Sequence, residues 1–264
     1  MDEFLPTRIF EVDVFLFFIL VLMRVSGLFV SMPVLGSRNV PMMVKAGLAG
    51  LIAIILVSTM SPLPQGIPHS SGAFLIVGAY EFLIGIGMGF IVSLMFSAVQ
   101  IAGEIMDLQS GFGMMNIFNP AMETQFPIFG FYLFILWAMF FLWINGHLVV
   151  LQILGDSYKT LPIGLMSRMD NNFGWEITRW GQTMFMYGVR LAGPVIVTMI
   201  LTYAVMGILG RAIPQIHLLV IGFPITIGLG MIIVGISLGV YMGVFEDMAQ
   251  EMVREVQLFI RGLG

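Results

Sequence analysis

The chain has 264 residues, of which 59% are hydrophobic and only 10% are charged, and its formal net charge is −4. Soluble domains carry roughly 25% charged residues, so this composition excludes an ordinary soluble protein and indicates a membrane protein. The acidic balance argues against a nucleic-acid partner, and the absence of cysteine excludes disulfide and thiol chemistry.

Six apolar stretches approach or exceed the roughly 20 residues that a helix needs to cross a bilayer. They predict helices over 12–32, 44–60, 73–99, 128–150, 184–209 and 218–244, followed by an amphipathic tail over 246–264. The basic residues in the connections favour both chain ends in the cytoplasm. The predicted fold class is therefore all-α, a polytopic helical protein that associates with membrane lipid.

Two of the predicted spans contain a charged residue. Arg24 lies near the centre of the first span, where an arginine without a partner costs roughly 2.5–3.5 kcal/mol on insertion scales. Glu81 lies in the third span, and it is one candidate partner for Arg24. Both side chains are expected to face protein or water rather than lipid.

The stretch from 102 to 120 differs from the rest of the chain because polar residues interrupt its apolar character. Gln100, Glu104 and Asp107 stand at i, i+4 and i+7, which places an amide and two carboxylates on one helical face. The chain is predicted to leave the helical pattern in this stretch.

Glycine and methionine follow that polar face. Gly111 and Gly113 flank Phe112, which frees the backbone around a ring that still needs burial, and Met114 and Met115 add a pliable apolar surface. This mixture of residues suits a segment that must close an opening and then move out of it. A membrane-surface loop that begins with a C-capping glycine is the alternative.

Small residues recur at helical spacing in two places. Gly85 and Gly89 form one pair, and Gly235, Gly239 and Gly243 repeat every four residues. Such spacing lets a second helix backbone approach closely. Both sets are predicted to be helix-packing faces.

Sequence motifs for catalysis are absent from the chain. There is no HExxH, GxSxG or P-loop pattern, and the histidines His69, His147 and His217 are far apart. We therefore expect no enzyme, no cofactor and no metal site.

A series of short motifs follows one another along most of the chain. They are Arg24-x-x-Gly27-Leu28-Phe29, Pro33-x-x-Gly36-Ser37-Arg38-x-x-Pro41-x-x-x-Lys45, Glu81-x-x-Ile84-Gly85, Ala102-Gly103-Glu104-x-x-Asp107-x-Gln109-x-Gly111, Asn119-Pro120, Asn145-Gly146-His147 and Gly210-Arg211-Ala212-x-Pro214-Gln215. In this series the chain closely resembles the FliR family, the membrane proteins of the flagellar and virulence type III export apparatus.

The resemblance implies a closed, helical, hetero-oligomeric export gate with long helical hairpins. FliP-like and FliQ-like subunits and further export-apparatus proteins would be the partners, at the flagellar basal body in the bacterial inner membrane and partly on its periplasmic side. Residues 1–183 would form a P-like portion, and 184–264 a Q-like hairpin with the amphipathic tail. A family loop that plugs the pore corresponds here to Gly103, Gly111, Phe112, Gly113, Met114, Met115 and Asn119.

With this resemblance, the charged side chains are expected to be buried at contacts between subunits, since lipid would not accommodate Arg24, Glu81, Glu104 and Asp107. The glycine faces are expected to be subunit contacts too. The predicted function is a structural part of a conduit for unfolded flagellar substrates, closed by the plug loop. The alternative is a secondary transporter that couples protons to a small solute through the three carboxylates. A scaffold that lines no pore is a third possibility.

Overall fold

Helices account for all the regular structure in the part of the chain that the computed structural model describes. That part comprises residues 12–34, 36–37, 40–60, 70–112, 127–164, 173–213 and 218–263. Its helices are α1 (Val12–Ser31), α2 (Met42–Thr59), α3 (Ser71–Ser110), α4 (Ile128–Trp143), α5 (Gly146–Thr160), α6 (Phe173–Ala212), α7 (Leu218–Ile236) and α8 (Leu238–Leu263). The all-α prediction is confirmed.

The lengths and compositions of the helices fit a polytopic membrane protein. Helices α1, α2, α3 and α6 are each long and apolar enough to cross a membrane, and two bent pairs raise the number of candidate spans to six. Helices α3 and α6 have 40 residues each, which gives about 60 Å at 1.5 Å per residue. A hydrocarbon core is about 30 Å thick, so neither helix fits within it unless it is strongly tilted.

Two of the predicted spans are bent rather than straight. Helices α4 and α5 meet at 61°, and α7 and α8 meet at 60°. Asn145 lies at the first bend with φ 57°, a left-handed conformation that asparagine tolerates better than most residues. Each of the predicted spans over 128–150 and 218–244 is therefore formed by a bent pair of helices rather than by one straight helix, and each pair counts as one candidate span.

Three predicted boundaries also differ from the structure. Helix α3 continues to Ser110 instead of ending near residue 99, and α6 begins at Phe173 instead of near residue 184. The amphipathic tail is continuous with α8 from Leu238. At the first two boundaries polar residues suggested the end of an apolar span, but polarity by itself does not end a helix.

Contacts divide the chain into two compact units that alternate along the sequence. The first comprises Met1–Ser93, Asn145–Glu176 and Met252–Gly264, and the second comprises Leu94–Ile144 and Ile177–Glu251.

Close backbone contact between α1 and α3 organises the first unit. A Cβ atom added at Gly27 would overlap the carbonyl oxygen of Phe82, and one at Gly85 would overlap that of Arg24. The two helices can approach this closely only because both positions lack a side chain.

Aromatic side chains fill the core of the second unit. Trp137 is fully buried, and its ring contacts Phe96, Phe140, Phe141 and Phe245 at centroid distances of 5.2 to 6.4 Å. Ring pairs at these distances contribute about 0.5–1.5 kcal/mol each beyond simple burial. This core holds α3, α4 and α8 together.

Candidate functional site

Helix α3 ends where the sequence changes from polar to glycine-rich. The Ser110 hydroxyl donates a hydrogen bond to the Met106 carbonyl oxygen at 2.7 Å, and Gly111 follows with φ 87°. Glycine adopts this left-handed conformation without strain, and it commonly follows the last residue of a helix. The chain therefore turns sharply away from the helix axis at Gly111.

Asp107 reaches from the last turns of α3 to the start of α4. Its carboxylate accepts hydrogen bonds from the backbone N–H groups of Phe129 at 3.2 Å and Gly130 at 3.3 Å. Pro127, at the N-cap position of α4, makes no capping hydrogen bond of its own. Asp107 thus caps α4 from another helix, and its negative charge lies at the positive end of the α4 dipole.

Two further contacts hold the end of α3 against the start of α4. A Cβ atom added at Gly103 would overlap the backbone of Gly130, so α3 and α4 cross in direct backbone contact. The ring of Phe112 meets that of Phe129 edge to face at 5.3 Å. We call Gly103, Asp107, Phe112, Phe129 and Gly130 the loop base, because together they hold both ends of the segment between α3 and α4.

Helices α6 and α7 support the loop base. The Tyr203 hydroxyl on α6 donates a 2.6 Å hydrogen bond to the Gln109 carbonyl oxygen, which satisfies one of the terminal acceptors of α3. The Phe223 ring on α7 lies 3.0 Å from where a Cβ atom of Gly111 would be. Neither aromatic residue stood out in the sequence, because each is one of many in apolar helices.

The predicted plug residues divide into two groups in the structure. Gly103 lies inside α3, which continues to Ser110, so this first part of the predicted plug loop is helical. The remaining predicted plug residues, Gly113, Met114, Met115 and Asn119, lie outside the described residues.

The predicted polar face has two different environments. Asp107 is 6% exposed, whereas Glu104 and Gln100 are exposed in this chain. The burial of Glu104 at a contact between subunits stays a prediction, since it concerns the assembled complex.

Arg24 and Glu81 form a buried ion pair in the first unit, as the sequence indicated. The Nε of Arg24 lies 2.5 Å from Glu81 Oε2, and both side chains are at most 2% exposed. The other two guanidinium nitrogens of Arg24 donate hydrogen bonds to the Ser157 hydroxyl at 2.8 Å and to the Leu161 carbonyl oxygen at 3.1 Å. The guanidinium also lies 4.1 Å from the centre of the Tyr158 ring, a cation–π contact.

This Arg24 cluster therefore joins α1, α3 and α5 within one chain. Every guanidinium nitrogen has an acceptor, so the arginine is compensated without help from another molecule. Sequence reasoning missed Ser157, Tyr158 and Leu161, because nothing in the pattern of α5 distinguishes them from other small polar or apolar residues.

The two predicted helix-packing sets of glycines also differ in what surrounds them. Gly85 and Gly89 pack against α1 of the same chain, where added Cβ atoms would meet Arg24, Leu28 and Ser31. Added Cβ atoms at the second set, Gly235, Gly239 and Gly243, would have no atom within 4 Å among the described residues. The bend between α7 and α8 separates Gly235 from the other two, so these three do not form one straight face.

Chemical groups for metal binding do not converge in the described part of the chain. No three histidine, aspartate or glutamate side chains there come close enough to hold a metal ion. The arrangement of the site consists of capping, packing and charge pairing.

Comparison with known proteins gives matches over most of the chain. Residues 15–252 match the family described as bacterial export proteins, family 1. Three relatives carry the name flagellar biosynthetic protein FliR. The one from Escherichia coli (strain K12) is 34% identical over 80% of this chain and 79% of its own length. The one from Bacillus subtilis (strain 168) is 30% identical over 84% and 85%, and the one from Aquifex aeolicus (strain VF5) is 29% identical over 81% and 82%. Because the family match covers most of the chain, the chain belongs to family 1 of the bacterial export proteins.

Proposed function

We propose that the chain is a structural, non-catalytic subunit of the flagellar protein export apparatus in the bacterial inner membrane. It forms part of the conduit for unfolded flagellar substrates together with FliP-like and FliQ-like subunits. Residues 1–183 serve as the P-like portion and 184–264 as the Q-like portion, with part of the assembly on the periplasmic side. The segment after Gly111 closes the conduit.

The main support comes from how α3 and α6 run side by side in the second unit. Gly188 of α6 faces Ala98 and Ile101, with a Cβ position 3.1 Å from the Ile101 side chain. Further along both helices, the Tyr203 hydroxyl bonds to Gln109 at 2.6 Å. Both residue numbers increase in the same direction, so the two helices are parallel.

Between these two contacts, the exposed side chains of α3 and α6 differ in polarity at the same level along the two helix axes. Helix α3 carries the exposed carboxylate of Glu104, whereas α6 carries an apolar stripe in which Val197, Ile200 and Leu201 are each about 60% exposed. Lipid on all sides would leave Glu104 unsolvated, and water on all sides would leave the stripe exposed. A subunit that contacts protein or lipid on one side and a water-filled conduit on another satisfies both surfaces.

The loop base supports the closing role of the next segment. Asp107 and the Gly103–Gly130 contact hold the end of α3 against the start of α4, so both attachment points of the segment between them are fixed. An element that must return to one closed position needs such a fixed base. The sequence of the segment includes glycine and methionine, which suit a surface that can repack.

A proton-coupled transporter finds less support in the same contacts. Glu81 is held by Arg24, and both oxygens of Asp107 accept backbone hydrogen bonds. Of the three carboxylates suggested for proton coupling, only Glu104 is exposed. Solute uptake by the purified chain alone in liposomes would favour the transporter.

Charged substitutions on the α6 stripe are expected to prevent assembly. Val197→Asp combined with Leu201→Asp places two carboxylates in an apolar interface, where charges are strongly unfavourable. Recovery of FliP-like and FliQ-like subunits with the tagged chain should fall at least about tenfold, which corresponds to about 1.4 kcal/mol. The measurement is co-purification from membranes, normalised to the amount of the chain that is inserted there.

The control replaces the same two residues by alanine, which keeps the stripe apolar and should leave most of the assembly intact. Full recovery of the partners with the aspartate variant, at normal insertion, would contradict the proposal that protein covers this stripe.

A further inference from the structure

An open cavity of about 580 Å³ lies in the first unit, among α1, α2 and α5. Its volume is in the range of about 300–1,000 Å³ that is typical of small-molecule sites. The walls combine apolar and polar side chains, among them Phe17, Leu56, Thr59, Gln152, Asp156 and Lys159. The cavity therefore suits a ligand that is itself part apolar and part charged.

The position of the cavity along α2 indicates its depth. Helix α2 has 18 residues, about 27 Å in length, which is close to the thickness of the hydrocarbon core of about 30 Å. Only 11% of it is buried in the chain, and its exposed side chains, such as Met43, Leu51 and Ile55, are apolar. Such a helix fits a lipid surrounding, and its end at Thr59 then lies at the level of the lipid headgroups. The cavity lies beside that end, because Leu56, Thr59 and Met60 line it.

The charges around the cavity favour a ligand with both signs. Helices α2 and α5 both end beside it, at Thr59 and Thr160, so the negative ends of two helix dipoles lie near it. Asp156 adds a carboxylate that attracts an ammonium group, and Lys159 provides donors for a phosphate. The two side chains form an exposed pair at 2.6 Å, with 54% and 82% of their surfaces accessible, so a ligand can replace each partner in turn.

We propose that this cavity binds the headgroup of a zwitterionic phospholipid with a primary amine, a phosphoethanolamine lipid. The ammonium group lies against Asp156 and the carbonyl ends of α2 and α5, and the phosphate accepts hydrogen bonds from Lys159. The acyl chains continue along the apolar surface of α2. An anionic lipid fits less well, because the carboxylate and both helix ends repel its net charge.

The test uses the full chain purified in detergent, free of native lipid, and titrated with short-chain phosphatidylethanolamine. Phosphatidylglycerol and free phosphoethanolamine are titrated in parallel, to separate headgroup charge from the lipid as a whole. The variant D156K/K159D keeps an ion pair but exchanges the positions of its charges. Gly155→Leu keeps both charges and adds a side chain beside the cavity, where an added Cβ atom meets only Leu56 at 3.4 Å.

Both variants are expected to weaken phosphatidylethanolamine binding at least about tenfold. The wild type is expected to bind phosphatidylglycerol and free phosphoethanolamine more weakly than phosphatidylethanolamine. Equal phosphatidylethanolamine binding by the wild type and both variants would overturn the proposal, since the site would then lie elsewhere. Stronger binding of phosphatidylglycerol would overturn the choice of a zwitterionic ligand. The unfolding temperature of each variant shows whether it is folded. If the wild-type chain binds none of these lipids, the proposed site is refuted.

Discussion

Replacing Glu81 by alanine is expected to lower the free energy of unfolding by about 3–5 kcal/mol, because it leaves a buried arginine without its counter-charge. Arg24 is fully buried, and its remaining partners, Ser157 and the Leu161 carbonyl, are neutral. They cannot compensate a full positive charge. The measurement is unfolding of the purified chain in mixed detergent micelles, followed by loss of helical circular dichroism.

A double variant separates charge from packing in this experiment. Arg24→Met with Glu81→Met removes both charges and retains apolar volume, and buried pairs replaced in this way often show little loss of stability. We expect the double variant to be more stable than Glu81→Ala alone. If Glu81→Ala costs less than about 1 kcal/mol, as an exposed pair would, the Arg24 cluster is not the buried anchor of the first unit.

Replacing Asp107 by alanine is expected to open the gate. The change removes two hydrogen bonds to a charged acceptor, which contribute about 1.5–3 kcal/mol each, together with the cap of α4. A loss of about 3 kcal/mol changes the ratio of open to closed loop base by roughly a hundredfold. The measurement is leakage of a small solute across membranes that contain the assembled gate.

Glu104→Gln is the matched control for this substitution. It neutralises a carboxylate three residues earlier on the same helix, but this side chain is exposed and does not reach α4. A deletion of 111–115 gives the leakage of a gate without its closing segment. Asp107→Ala should approach that value, whereas Glu104→Gln should remain tight. Equal leakage from Asp107→Ala and Glu104→Gln would show that the α4 cap does not hold the segment closed.

The sequence was sufficient to predict the fold class and to suggest Glu81 as one candidate partner for Arg24. Long apolar stretches require helices in a bilayer, and a charge within one of them requires a partner of opposite sign. The other partners of Arg24 could not be predicted in this way. Ser157 and Leu161 are more than 130 residues away in sequence, and no local pattern connects them to Arg24.

The loop base shows a similar limit. The spacing of Glu104 and Asp107 placed both carboxylates on one face, and this geometry is correct. Their different burial depends on the backbone contact between Gly103 and Gly130, which brings α4 close enough for the short side chain of Asp107 to reach its N–H groups. Sequence periodicity describes one helix at a time, so it does not show which helix packs against it.

Crosslinking to a stalled substrate tests the central proposal most directly, and the absence of cysteine makes any introduced thiol unique. One variant carries Met114→Cys in the closing segment. The control carries Met43→Cys on α2, a position that is 89% exposed but faces lipid in this account. We expect an export substrate stalled in the assembled gate to crosslink to position 114 and not to position 43. The absence of a crosslink at 114, or equal crosslinking at both positions, would contradict a closing segment that lies in the path of the substrate.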